Sequence, residues 1–232
     1  MRALALLLIA VLVLWVVVPR LLPLLPPGYH PMAPLEVTDP PTVVTRFKLN
    51  ALAADPSACL LALQRADTAG YISYSLVNDT IGDCPLVSAV RVRRFGQVRL
   101  SSSFLASCPL ALRSAMFVGQ IAAPLAVKEL GSPLARIDHL GSYACRNIYN
   151  RAQGRLSEHA SADALDVAAF TLADGRRIAI LPQWPQQDAA GQYLHGVLAG
   201  SCGFFGNALG PDYNDAHANH FHLGMRGFNL CR

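Results

Sequence analysis

Four of the seven histidines in this chain fall in two short stretches, His159 in one and His217, His220 and His222 in the other, about fifty residues further on. His159 is followed at Asp166 by a carboxylate. Zinc takes neutral imidazole and carboxylate as ligands, and a catalytic site usually employs three protein ligands with a fourth position left for water. His159, Asp166 and a tail histidine meet that rule only if the fold sets the two stretches side by side. This requirement constrains the architecture before any element is assigned.

Local periodicity indicates how the stretches are built. His220 and His222 flank Phe221, and residues two apart on a strand project from the same face, so both imidazoles point into one cleft while Phe221 packs behind. Phe221, Leu223 and Met225 alternate with His220, His222 and Gly224, the period of a strand. Ala164 to Thr171 reads the same way, with Leu165, Val167 and Ala169 on one face and Asp166 on the other. The turn Ala173-Asp174-Gly175-Arg176 predicts a hairpin into Arg177 to Leu181. Asp166 is therefore expected on a central strand and His159 on the loop entering it. A lone His-x-His also occurs on solvent-facing strands; the spacing to His159 and Asp166, with Ser157 in place, favours the metal reading over a chance polar face.

The run Ser157-Glu158-His159-Ala160-Ser161-Ala162-Asp163-Ala164-Leu165-Asp166 resembles the Ser-x-His-x-x-Gly-x-Ala-x-Asp signature of D-Ala-D-Ala carboxypeptidases and related murein peptidases, a superfamily shared with lysostaphin and the hedgehog signalling domain. The tail His217-x-x-His220-x-His222 is similar to the end of the murein endopeptidase branch. More closely, Tyr143-Ala-Cys145-Arg146, the Ser157 signature, Cys202, Leu209-Gly210-Pro211 and His220-Phe221-His222 resemble the bacterial extensin-like C-terminal domain proteins, over roughly Leu49 to Arg232. Nothing resembles the hydroxyproline-rich repeats of true extensins. The resemblance implies an α+β domain, hedgehog/D,D-peptidase-like, with a small antiparallel sheet and flanking helices. It also implies Zn2+ bound by His159, Asp166 and His222, with His220 as general base or stabiliser of a tetrahedral intermediate and His217 as second candidate. Zinc lowers the pKa of water towards 7, and an imidazole titrating near 6.5 is suited to moving that proton.

The chain departs from the pattern at three positions. Many carboxypeptidase relatives carry a glutamate three residues before the last ligand; here that position is Asn219, and no glutamate follows Glu158, which leaves histidine or Asp215 as base. The signature glycine is Ala162, which costs about 1 kcal/mol if the position needs positive φ. The aspartate that often follows the tail leucine in these relatives is Gly224, and the missing carboxylate would leave a ligating histidine less firmly oriented. Ser157, Arg146 and Arg155 are candidate substrate contacts. Arg146, Arg151 or Arg155 could grip a carboxylate through a bidentate pair, against the ordinary alternative of a solvated loop arginine.

The front of the chain places this chemistry. Arg2 precedes an unbroken apolar run from Ala3 to Val18, closed by Pro19 and Arg20. At about 1.5 Å per residue the run falls slightly short of a ~30 Å hydrocarbon core, and Leu21 to Leu25 can extend it. No Ala-x-Ala cleavage site follows, so residues 1–25 read as an uncleaved anchor, with a signal peptide as the alternative. Either sends the rest out of the cytoplasm, and the expected position is anchored to a bacterial inner membrane with the domain in the periplasm. Pro19 to Pro41 contains eight of the sixteen prolines, so residues 26–45 are expected to form an extended spacer holding the domain away from the bilayer.

Residues 46–232 suffice for one packed domain, with a helix-and-strand part at 46–133 and the metal-site part at 134–232. Expected helices are Ser57 to Ala66 behind Asp55-Pro56, Pro109 to Leu130 capped by Ser107 and bent at Pro124, and Asp188 to Leu198. Tyr71 to Val77, Leu86 to Leu100 and Arg136 to Tyr143 read as strands. Cys59, Cys84, Cys108, Cys145, Cys202 and Cys231 form an even set without a C-x-x-C, which in an oxidising compartment favours three disulfides. Sequence does not determine the connectivity; Cys84 with Cys108 and Cys145 with Cys202 are the pairs expected. His139 and His195 read as structural, Trp184 as either cleft rim or core, and Arg91, Arg93, Arg94 and Arg99 as a solvated basic face. A net charge of +4 does not point to nucleic acid. The leading expectation is zinc-dependent hydrolysis of peptide bonds in peptidoglycan. The alternatives are a non-catalytic zinc module binding wall peptide or a protein partner, and a disulfide-stapled envelope protein that takes metal adventitiously.

Overall fold

The structure is a computed structural model that describes residues 2–77, 83, 84, 86, 88–227 and 230–232. Helix α1 (Arg2–Val16) and the short α2 (Val18–Leu21) belong to one apolar helical stretch, Arg2–Leu24, of mean hydropathy 2.7 and with no buried residue. Its length and composition are compatible with a membrane anchor or a signal sequence. A second stretch of that length and character, Cys108–Leu130, is mostly buried inside the domain.

The proline-rich segment packs on the domain instead of forming the extended spacer expected to hold it away from the bilayer. Leu35 and Val37 are buried in the core. The Gly28 carbonyl accepts from the hydroxyls of Thr42 and Thr45. Arg65 donates to the Leu35 carbonyl at 3.2 Å, and the Gln120 amide donates to the Val37 and Asp39 carbonyls at 2.5 and 3.0 Å. Prolines keep the segment out of helices and sheets, so its carbonyls are satisfied by side-chain donors of the domain instead. Helix α3 (Val43–Ala54), capped by Thr42, then begins within residues assigned to the spacer.

Helix α4 (Pro56–Thr68) starts where its cap signal lies, with the Asp55 carboxylate accepting from Ala58 N at 3.0 Å and Pro56 in the first turn. The strands are β1 (Ser73–Leu76), β2 (Ala89–Phe95), β3 (Val98–Ser107), β4 (Leu134–Gly141), β5 (Ala164–Leu172), β6 (Arg177–Ala179), β7 (Asn207–Leu209), β8 (Phe221–Gly224) and β9 (Leu230–Cys231). Among the described residues they form one nine-stranded sheet in the order β1-β2-β3-β4-β5-β8-β7-β9, with β6 also paired to β5. The stretch read as one strand from Leu86 to Leu100 is a hairpin turning at Gly96, whose φ is 56°; its Val87 lies outside the described residues.

The sheet is neither small nor wholly antiparallel, which corrects the sequence expectation. β3 pairs with β4 in parallel, as does β7 with β9. Parallel neighbours need a crossover, and the buried helical stretch between β3 and β4 supplies one. That stretch is α5 (Cys108–Phe117), a π-turn (Val118–Ala122) and α6 (Ala123–Leu130). Ser107 Oγ accepts from Leu110 N at 3.3 Å, and Gly131 closes the far end at φ 68°. Pro124 has no N–H to give the preceding turn, which accounts for the irregularity before it.

Helices α7 (Ile180–Gln183) and α8 (Ala189–Ser201) precede the tail, with Asp188 capping α8 through Gly191 N at 3.0 Å. Phe117, Phe170, Tyr193, Phe204 and Phe221 are fully buried. Phe221 does pack behind the tail, with its ring 6.5 Å from Phe170 and 5.5 Å from Trp184. Trp184 is core rather than rim, and its indole donates to Asp212 at 2.9 Å. His195 meets the Trp184 carbonyl at 3.2 Å and His139 the Ser102 carbonyl at 2.8 Å, so both serve the framework.

The three disulfides are Cys59–Cys108, Cys84–Cys145 and Cys202–Cys231, which corrects both expected pairs. Spatial neighbours explain the difference. Cys108 opens α5 against α4, which carries Cys59; Cys231 lies on the last strand beside the end of α8; and Cys145 follows β4, two strands from β2, near which Cys84 lies.

Candidate metal centre

Asp166 on β5 and His222 on β8 are Cα partners across an antiparallel pair, so their side chains rise from adjacent strands on the same face. His222 Nδ1 lies 3.0 Å from Asp166 Oδ1. His159 comes from a 3-10 turn (Glu158–Ser161) immediately before β5, and its Nε2 lies 3.2 Å from Asp166 Oδ2. That turn is capped by Ser157, whose Oγ accepts from His159 N at 3.3 Å. It ends at Ala162, which adopts the left-handed region at φ 53° and delivers the chain into β5. One ligand atom from each of His159, Asp166 and His222 lies within 4.8 Å of the others, a spacing that could hold a metal ion.

The remaining nitrogens of the two histidines decide whether a metal suits the site. His159 Nδ1 sits 3.1 Å from the Ser142 carbonyl, which requires an N–H there and turns Nε2 towards Asp166. His222 Nε2 sits 3.3 Å from Glu158 Oε2, leaving Nδ1 towards Asp166. Metal-ligating histidines characteristically donate their other N–H to a carbonyl or carboxylate, and both do so here.

Electrostatics follow from the packing. Burial raises the Asp166 carboxyl, but hydrogen bonds and charge from His159 and His222 outweigh it and hold the group well below the usual carboxylate range. Burial lowers His222, yet its hydrogen bonds to the Asp166 and Glu158 carboxylates overcome that and push it up to about 9. Glu158 is raised by burial and lowered more by His222, Asn207 and Arg226 N. His217 and His220 are both lowered, chiefly by burial, His217 to about 4.

His217 and His220 stand beside the three-residue cluster in a cleft of about 270 Å³. His220 Nε2 is 3.6 Å from Asp166 Oδ1, and the His217 ring lies 5.2 Å from His220 and 5.7 Å from His222. Ser157 and Arg146 also line the cleft, whereas Arg155 does not; its carbonyl accepts from Ile148 N. Asp215 is exposed and outside the lining. Sequence reasoning passed over Glu158, Asn207, Tyr149, Tyr213 and Arg226, all of which line the cleft. Glu158 carried a signal, being a carboxylate inside the signature and next to a ligand candidate. Tyr149 gave none: its φ of 55° and its contact with Asn214 Nδ2, at 3.3 Å, depend on the loop's path.

The fold and site together define an α+β domain whose mixed sheet presents a His/Asp/His cluster, with two further histidines, at one polar cleft. Residues 57–232 match the family model described as extensin-like protein C-terminus, and the chain belongs to that family. No curated protein and no solved structure matches it.

Proposed function

We propose that this protein is a zinc-dependent hydrolase of peptide bonds in bacterial peptidoglycan, related to the D-Ala-D-Ala carboxypeptidases and murein endopeptidases and held at the periplasmic face of the inner membrane. The observation that carries the reading is that His159 and His222 each turn one nitrogen to Asp166 and give the other to an acceptor, Ser142 O or Glu158. His159 Nε2, the Asp166 carboxylate and His222 Nδ1 would hold the metal. Bound zinc supplies a Lewis acid for the scissile carbonyl and a lowered pKa for water.

The chain's own residues move the proton. His220 Nδ1 is tied to Asn219 Oδ1 at 2.8 Å, which fixes the tautomer with Nε2 as acceptor beside Asp166. His217 is tied in the same way to Asn214 Oδ1, at 2.7 Å. Burial lowers both imidazoles, which favours the neutral form that can accept a proton while weakening it as a base. Asn219, which cannot serve as a base itself, thus orients one. Arg146 at the cleft wall suits a peptide carboxylate.

With the chain docked from Gly28 onward, only Leu25 to Pro27 separate the apolar helical stretch from the domain. Such a length spans at most about 10 Å. An anchored domain therefore works close to the bilayer. The test is digestion: the purified, zinc-loaded full chain is incubated with muropeptides and the products are resolved by mass. Cleavage that disappears in His220→Ala while zinc is retained supports the reading. Intact muropeptides that nonetheless bind to the wild type would instead support a non-catalytic wall-binding module.

A further inference from the structure

The Glu158 carboxylate is buried in the wall of the metal cleft, on the Nε2 side of His222. Three donors converge on it. Asn207 Nδ2 reaches Oε2 at 2.9 Å, the backbone N–H of Arg226 reaches Oε1 at 2.7 Å, and His222 Nε2 reaches Oε2 at 3.3 Å. Two of these donors come from framework, β7 and the segment after β8, so the carboxylate is fixed before the histidine meets it. Its location also depends on a missing side chain. A Cβ built on Gly224 would lie 2.6 Å from Glu158 Oε2, 2.7 Å from Oε1 and 2.3 Å from Asn207 Oδ1, all closer than real Cβ contacts. Gly224 is therefore the vacant pleat into which Glu158 reaches from the neighbouring 3-10 turn.

We infer that Glu158 is the positioning residue of the metal centre: held by Asn207 and Arg226 N over Gly224, it accepts from His222 Nε2 and so aims His222 Nδ1 at the metal. This inference rests on the zinc reading of the His159, Asp166 and His222 cluster. A glutamine at this position cannot substitute, because one of its two terminal atoms is an NH2 that would face a donor, either Arg226 N or the Asn207 and His222 pair. A carboxylate also makes the acceptor bond to an imidazole N–H stronger than a neutral oxygen does.

The experiment measures zinc affinity of the full chain in detergent by competition with a chromophoric chelator, together with thermal unfolding of the metal-free forms. Glu158→Gln should keep one zinc at saturation but bind it about 10–100-fold more weakly. Gly224→Ala should fall in the same range, since its methyl displaces the carboxylate. The double variant should be no weaker than the poorer single one, because both act through one contact; independent structural damage would add instead. Wild-type affinity in Glu158→Gln, or additive losses in the double variant, would overturn the inference while leaving the metal site standing. A wild type that binds no zinc overturns both. If Gly224→Ala fails to fold, Asn207→Ala takes its place, with a smaller loss expected because Arg226 N still holds the carboxylate.

Discussion

Asp166 and His222 face each other directly across the β5–β8 pair, and the His222 Nδ1 to Asp166 Oδ1 distance of 3.0 Å is set by strand register rather than by a loop. A one-residue slip of β8 would turn His222 to the opposite face and bring Phe221 or Leu223 forward. Sheet and site are therefore a single specification. Asp166 also touches His159 and His220, which makes it the hub of the cluster. Asp166→Asn retains the shape but places an amide NH2 against one imidazole and removes the charge. Zinc affinity is expected to drop by more than about 100-fold, beyond the loss typical of residues behind the ligands. Chelator competition measures it, and an unchanged affinity would remove Asp166 from the ligand set.

The proton-transfer assignment separates from metal binding in the next pair of variants. His220→Ala should hold zinc as the wild type does and lose hydrolysis by about 10²–10⁴-fold, the usual contribution of a positioned base. Asn219→Ala frees His220 Nδ1 and should cost less, through a lower kcat with zinc content unchanged. If His217→Ala proves the more damaging variant, the two histidines exchange roles.

Cys84–Cys145 staples the loop that supports His159. Ala144 N donates to the His159 carbonyl at 3.0 Å, and the Tyr143 hydroxyl donates to the Cys84 carbonyl at 3.0 Å. Replacing both cysteines with alanine opens a link between residues 61 apart in sequence, a loss of about 4 kcal/mol in the chain-entropy account. Chemical unfolding of the metal-free protein checks the stability, and a non-reducing peptide map checks the pairing itself.

Most of the site was legible because period-two patterns locate strands and the signature spacing fixes which faces converge. β5, β8, the hairpin into β6 and the caps at Asp55, Ser107 and Asp188 all follow from local rules. What local rules do not encode is which strands become neighbours. The parallel β3–β4 pairing, the short β7 and β9, and the disulfide partners all depend on that order. The sequence leaves Ala162 conditional, and the position does take positive φ, at 53°. Gly224 shows the limit of local inference. The absence of a carboxylate there was readable, but the carboxylate that fills the space comes from Glu158, a contact across 66 residues that only the register of β5 and β8 creates.

Tyr193 offers a test of the core that is independent of metal. It is fully buried against Phe170, and its hydroxyl donates to the Ala122 carbonyl in the π-turn at 3.1 Å. Burial pushes its phenol far above the ordinary value near 10. The folded pKa is thus higher than the unfolded one, so the contribution to stability is complete below pH 10 and is lost as pH rises, because the unfolded chain releases the proton first. Tyr74 is raised as well, by burial and then by Asp67, so the wild type alone does not isolate Tyr193. The comparison with Tyr193→Phe does. At pH 7 the phenylalanine variant should be weaker by about 1 kcal/mol for the lost hydrogen bond. Above pH 10 the wild type should lose about 1.4 kcal/mol per pH unit more than the variant, so the two stability curves converge. Parallel curves in urea unfolding between neutral pH and pH 11 would mean that the tyrosinate is solvated in the folded protein, and that the helix α8 contact with the π-turn is looser than the packing requires.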